Sequence, residues 1–270
     1  MSKSSFLRMF CPVLLSVACY SCATAQQWSK IDEKWENDNH RRDRKYCEVR
    51  EITLPADRDV ISVDGLANGG IRVEGWRRDE IRIRANVCAW DRDRSEAKEL
   101  VSRIDVLTNG KTIRAEGPRW RKRKGWSVSY RLMVPEKSDL SLETTNGGIT
   151  ITNVHGEIEF DATNGGIRLS EVGGDVHGST TNGGIEVDLD GNKWNGRGLD
   201  VKTTNGSVRL DIPEDYSADL ETGTVNGTIH IDFPIMVQGD LSRRLRTKIG
   251  DGGPRIRAVT TNGSVRIRQY

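Results

Sequence analysis

The chain has 270 residues and carries 41 basic against 39 acidic side chains, with 30% of residues charged and 35% hydrophobic. A near-neutral balance of this kind excludes a general nucleic-acid binder, whose footprint is a strong basic excess. Beyond the first turns of the chain, no stretch is apolar enough to cross a bilayer.

Residues 1–25 read as a secretory signal peptide. Lys3 and Arg8 supply the positive start, Phe10 to Ala18 is a short apolar run, and Ala23-Thr24-Ala25 is a small-residue cleavage site ahead of Gln26. Cleavage as a lipoprotein ahead of Cys19 is the rival. Ser16 stands where that route usually has a larger aliphatic residue, so lipid anchoring at Cys19 is not the expectation. The protein is expected to be exported to the periplasm, the outer surface or the medium, with no transmembrane segment after cleavage. Losing Lys3 and Arg8 leaves 39 basic and 39 acidic side chains.

Cleavage also leaves two cysteines, Cys47 and Cys88. An even pair in an oxidising compartment predicts one disulfide, worth about 3–4 kcal/mol through the loop it closes. The mature chain has no Cys-x-x-Cys and no paired histidines, so no metal or cofactor is expected.

Residues 26–46 form a polar linker, although Trp28, Ile31 and Trp35 have helical spacing. Residues 47–135 are β-rich, with strands around Val60–Val63, Ile81–Arg84, Thr112–Ala115 and Ser127–Leu132. One helix is predicted over Ser95–Ile104, with Ser95 as N-cap and Ala97, Leu100, Val101 and Ile104 on its buried face. An exposed stack end needs covering, so this segment reads as the first coils of a stack with its N-terminal cap. Between two of its strands lies Arg119-Trp120-Arg121-Lys122-Arg123-Lys124-Gly125-Trp126. Five cations beside two Trp rings suit sugars or anionic polymers. The competing reading is a solvated hairpin tip.

Residues 136–270 repeat. Thr144-Thr145-Asn146-Gly147-Gly148-Ile149 returns around Asn164 and Asn182, and looser copies follow at Asn205, Asn226 and Asn262, with an early outlier at Asn68. The Asn-to-Asn steps are 18, 18, 23, 21 and 36 residues, the last reading as two coils. A fixed period of this size means stacked units. Asn-Gly predicts a tight turn through its tolerance of positive φ. The flanks alternate apolar and polar, the strand period. Aligned on Asn, one inward column reads Ile149, Ile167, Ile185, Val208, Ile229, Val265, and the next reads Ile151, Leu169, Val187, Leu210, Ile231, Ile267. These predict an all-β, single-stranded β-solenoid of about 18–23 residues per coil, each coil burying its apolar side against the next. The stacked Asn side chains are expected to bond along the axis and hold the turns.

The Asn-Gly-Gly-Ile and Asn-Gly-Ser-Val units, with the run Lys248–Ile256 leading into Thr260-Thr261-Asn262-Gly263, resemble the bacterial putative-adhesin family over roughly residues 50–270. The resemblance implies an exported β-solenoid with no assigned catalytic residues.

Outward positions frame the functional reading. Thr150, Arg168, Glu186, Arg209, His230 and Arg266 form one ladder, in which Arg168, Glu186 and Arg209 can pair or face a partner. Glu143, Glu157, Glu159, Asp161 and Asp175 present an acidic face, with His177 one rung from Glu159. A non-enzymatic binding or structural module of the envelope follows, contacting cell-surface polysaccharide or another envelope protein. The alternatives are a β-helix enzyme acting on acidic polysaccharide, which requires a groove with charged groups converging from three or more rungs, and an envelope-stress sensor, which the resemblance permits.

Overall fold

A computed structural model describes residues 44–56, 59–109, 112–119, 124–234 and 243–270. The expected signal peptide, nearly all of the linker, and Trp120, Arg121, Lys122 and Arg123 of the basic turn lie outside the described residues. Asp43–Tyr270 cluster as one compact unit. Among the described residues no helix is long and apolar enough to cross a membrane.

The elements in order are β1 (Lys45–Pro55), β2 (Ile61–Asp64), β3 (Ile71–Trp76), β4 (Glu80–Trp90), α1 (Arg94–Val101), β5 (Asp105–Asn109), β6 (Thr112–Glu116) and β7 (Gly125–Pro135). The repeats follow as β8 (Leu140–Thr144), β9 (Ile149–Thr152), β10 (His155–Ala162), β11 (Ile167–Ser170), β12 (Gly173–Asn182), β13 (Ile185–Asp188), β14 (Gly196–Asn205) and β15 (Val208–Ile212). The last are β16 (Ala218–Asn226), β17 (Ile229–Ile231), β18 (Arg244–Ile249), β19 (Arg255–Asn262) and β20 (Val265–Gln269).

These strands make two ten-stranded sheets. Sheet A runs β1-β4-β7-β3-β9-β11-β13-β15-β20-β17, and sheet B runs β18-β16-β19-β14-β12-β10-β8-β2-β6-β5. A coil is a strand in sheet B, an Asn-Gly turn, and a short strand in sheet A. The reason is geometric. One side of an alternating strand faces water, so a second sheet must cover the apolar side.

The two inward columns stack in register. Ile71, Ile149, Ile167, Ile185, Val208, Val265 and Ile229 are direct cross-strand partners in succession. Sheet B answers with Leu140, Ile158, Val176, Leu199, Ile256 and Leu220. Most of both sets is wholly buried. The outlier at Asn68 is a full coil, β2 and β3 pairing with β8 and β9. The stack crosses the boundary drawn at residue 135 without a break.

Two expectations are corrected. The coils do not stack in chain order, because the last coil, β19–β20, lies between β14–β15 and β16–β17. Arg244-Leu245-Arg246 opens β18, which pairs antiparallel with β16 and buries Leu245. The helix also starts earlier: Asp93 caps it, accepting from the Glu96 amide at 2.9 Å. Ala97, Leu100 and Val101 are buried as expected.

At the N-terminal end β1, β4 and β7 continue sheet A antiparallel, and α1 packs on β1 and β4. Arg50 of β1 donates to the carbonyls of Val101 and Ile104 at the end of α1. Cys47 and Cys88 face each other across β1 and β4 and form the expected disulfide.

Candidate functional site

The turn ridge is held by two side-chain columns. Asn164 Nδ2 donates to Asn146 Oδ1 at 2.8 Å, Asn182 to Asn164 at 2.8 Å, and Asn205 to Asn182 at 2.8 Å. The ladder goes on through Asn262 to Asn205 at 2.7 Å and Asn226 to Asn262 at 2.8 Å. It reaches Asn68 at the other end. Behind it, Thr144, Thr180, Thr203, Thr260 and Thr224 bury their hydroxyls and donate to a glycine carbonyl of the neighbouring coil at 2.6–2.8 Å. Ala162 occupies the same column and has no hydroxyl to offer.

Except at Gly263 (φ 159°), the described glycine after each repeat Asn is needed for closeness rather than for positive φ. Asn146, Asn164 and Gly165 are not among the positive-φ residues. A Cβ at Gly165 would lie 1.9 Å from the Gly147 carbonyl oxygen, and one at Gly183 2.0 Å from that of Gly165. Left-handed non-glycine backbone occurs at the opposite corner, at Asn153 (φ 55°) and Glu171 (φ 53°), and at Leu66 (φ 53°) just ahead of the Asn68 turn.

The outer face of sheet A carries the expected ladder in a corrected order, with Arg266 between Arg209 and His230. Arg168 pairs with Glu186, and Arg209 reaches Glu186 at 3.3 Å and Asp211 at 2.7 Å. Arg268 reaches Asp211 at 3.1 Å. Glu186, Asp188 and Asp211 are close enough for one ion to touch all three, but the three arginines already occupy this ground. Burial, then the Asp211 charge, pushes the Asp188 carboxyl above the usual range.

The basic turn is partly committed to the fold. Trp126 is 7% exposed and its Nε1 donates to the Pro118 carbonyl at 2.8 Å, so its ring is not presented for stacking. Lys124 pairs with the buried Asp91 at 2.5 Å. Burial alone would raise the Asp91 carboxyl, but hydrogen bonds from Lys124 and the Arg92 amide hold it below its usual range. Arg119 is exposed.

The outer face of sheet B divides by sign. The strands β2, β8, β10 and β12 contain no Lys or Arg and present Asp64, Glu143, Glu157, Glu159, Asp161 and Asp175. Farther along, β14 and β19 present Lys202, Arg255 and Arg257, and β18 presents Arg244, Arg246 and Lys248. Arg257 lies between Asp200, at 2.6 Å, and Glu221, at 3.5 Å. Burial would raise the Glu221 carboxyl, but Arg246, Arg255 and Arg257 hold it low. A shallow, open depression of about 420 Å³ spans five rungs from Ser141 to Arg257. Glu143 and Asp161 are adjacent-rung partners in it, as are Glu159 and His177. Glu143, Glu159, Asp161 and Lys202 are exposed and Asp200 is half-buried; Asp161 accepts from the Ser179 hydroxyl at 2.5 Å. The basic strands were missed on sequence, though Arg244-Leu245-Arg246 and Arg255-Ile256-Arg257 show the alternation that places both arginines outward.

The model of the Toastrack DUF4097 family matches residues 52–268. Among solved structures, a "putative cell adhesion protein" from Clostridium sporogenes is 10% identical, with 83% of this chain and 100% of that one covered at a TM-score of 0.41. A "putative adhesin" from Bacteroides fragilis is 11% identical, with 83% and 97% covered at 0.36. A "putative lipid binding protein" from Parabacteroides distasonis is 10% identical, with 82% and 96% covered at 0.29. A search of curated proteins gave no match.

Proposed function

This chain belongs to the Toastrack DUF4097 family, and from that premise we propose that it is a non-enzymatic, exported module of the cell envelope that binds a surface partner. The observation that carries the reading is the arrangement of charge. Ionic side chains lie on two open sheet faces and pair along the stack, as Arg168, Glu186 and Arg209 do. General acid–base chemistry asks for an enclosed site around such groups, whereas Asp188 and Asp211 lie on the outer face of sheet A with Arg209 and Arg268 on Asp211.

The partner is a cell-surface polysaccharide or another envelope protein, docking on sheet A around Arg168, Glu186 and Arg209. Arg119 and the basic residues Arg121, Lys122 and Arg123 add cations for an anionic polymer, without the Trp126 ring. A glycan array and a pull-down from envelope extract, run with the mature protein and with Arg168→Ala/Arg209→Ala, test this. Loss of capture in the double variant supports it, and unchanged capture sinks it. Release of reducing ends from an acidic polysaccharide, abolished by Glu159→Gln, would move the function to the sheet B depression and make the protein an enzyme.

A further inference from the structure

The division of charge on sheet B makes that face complementary to itself. The acidic half carries six carboxylates on four adjacent strands without a cation, and the cations begin at β14 and continue to the edge strand β18. Within one chain Arg197 of β14 reaches Asp175 at 2.9 Å, while the other cations sit two or more rungs from the remaining carboxylates, at about 4.8 Å per rung. A second copy turned end for end brings them together.

We propose that the outer face of sheet B is a homodimer interface, with a two-fold axis parallel to the strands between β12 and β14. The eight strands from β2 to β18 then exchange in order: β12 faces β14 of the mate, β10 faces β19, β8 faces β16, and β2 faces β18. The registers carry the match down to residues. Glu159 shares a column with His177, Asp200, Arg257 and Glu221, so the axis sets Glu159 opposite Arg257 of the mate and His177 opposite Asp200. In the column beside it, Glu157 meets Arg255. In the column on the other side, Asp64 meets Arg244, and Glu143 meets only Gly223, whose missing side chain leaves room. One like-charge approach, Asp139 against Asp219, falls at the margin just ahead of β8.

An isologous contact of this type closes on itself and forms no open chain. Eight rungs by three outward residues cover roughly 650 Å² per partner, from the strand spacings, below the ~800 Å² of a standard interface. The face has no large apolar anchor. The association is therefore held by charge and is screened by salt, since the Debye length falls from about 10 Å at 0.1 M to about 3 Å at 1 M. The surface stays apart from sheet A, so dimerisation leaves the proposed partner face free, and either proposal can fail without the other.

Sedimentation equilibrium of the mature protein tests this at about 0.05 M and about 0.5 M salt, the range over which screening acts. A dimer whose dissociation constant rises about tenfold or more is expected. Two variants then decide the face. Asp64→Lys/Glu157→Lys/Glu159→Lys reverses the acidic partners of the stated pairs, and Arg244→Glu/Arg255→Glu/Arg257→Glu reverses the basic ones. Neither variant should self-associate, and an equal mixture should form a one-to-one heterodimer, an outcome that misfolded chains cannot produce. A monomer at low salt overturns the proposal. So does a dimer that survives in either variant alone, or a mixture that stays monomeric while both variants keep the parent's circular dichroism. If the monomer instead binds a polycation through the acidic half, the face belongs to a different partner and self-association is wrong.

Discussion

Replacing Gly165 by Ala separates two reasons for a glycine at the turn, because they predict opposite signs. Were Gly165 there only for flexibility, Ala would reduce the freedom of the unfolded chain and stabilise the protein by about 0.4–1 kcal/mol. The stack says otherwise. The new Cβ would lie 1.9 Å from the Gly147 carbonyl oxygen and 2.5 Å from its carbon, so the rungs must part by more than an ångström. Overpacking of this kind costs about 1–3 kcal/mol, and the Asn164–Asn146 and Asn182–Asn164 bonds beside it weaken by about 1 kcal/mol more. A total of about 3 kcal/mol lowers Tm by roughly 6–12 °C for a domain of this size. The internal control is one residue away. A Cβ at Gly166 meets nothing nearer than the Gly184 oxygen at 3.5 Å, and the corresponding positions in other coils are Ser207, Thr228 and Ser264. Gly166→Ala should leave Tm unchanged or slightly raised. Thermal melts of the two variants, followed by circular dichroism, check this. Equal shifts, or a rise for Gly165→Ala, would refute the close-stacking argument.

Asn164→Ala removes two ladder bonds at an exposed ridge and should cost about 1–2 kcal/mol, read as a lower Tm with partner capture unchanged. Ala162→Thr fills the gap in the hydroxyl column and should add about 0.5–1.5 kcal/mol; a lower urea midpoint would mean that the site cannot take the extra atoms. Asp188 has a raised folded pKa, so the folded state holds its proton more tightly than the unfolded one. Stability from this group is present at low pH and is lost as pH rises through the interval above the ordinary Asp value. Asp188→Asn should therefore raise Tm at neutral pH, with the gain fading below about pH 4, the ordinary Asp value. Cys47→Ser/Cys88→Ser removes the β1–β4 crosslink and should cost about 3–4 kcal/mol in chemical denaturation.

What could be read without coordinates was the rung; what could not was the order of rungs. Aligning Ile149, Ile167 and Ile185 on Asn-Gly gave the inward columns directly, because register is enforced wherever one face is buried. Every coil, however, offers nearly the same aliphatic pair and the same Asn, so those features fit any neighbour. Charge distinguishes the neighbours. Stacking in chain order would set Glu221 beside Asp200, two carboxylates on adjacent rungs. Inserting the last coil puts Arg257 between them. The Asn-Gly turn was placed correctly but for the wrong reason, since backbone contact between coils leaves no mark on the sequence beyond the glycine itself. Trp126 read as a surface aromatic because its neighbours are cationic. Yet alternation along Gly125–Pro135 carries its ring inward, under a strand whose residues are mostly buried.

The inserted coil is the most exposed commitment of this account, because both charged faces depend on it. Cysteine pairs that crosslink only across adjacent rungs test it directly. Arg209→Cys/Arg266→Cys should form a disulfide on mild oxidation, and Arg209→Cys/His230→Cys should not. Crosslinking at 209 and 230 with none at 209 and 266 would mean that the coils stack in chain order, and the charge pattern of both faces would have to be redrawn.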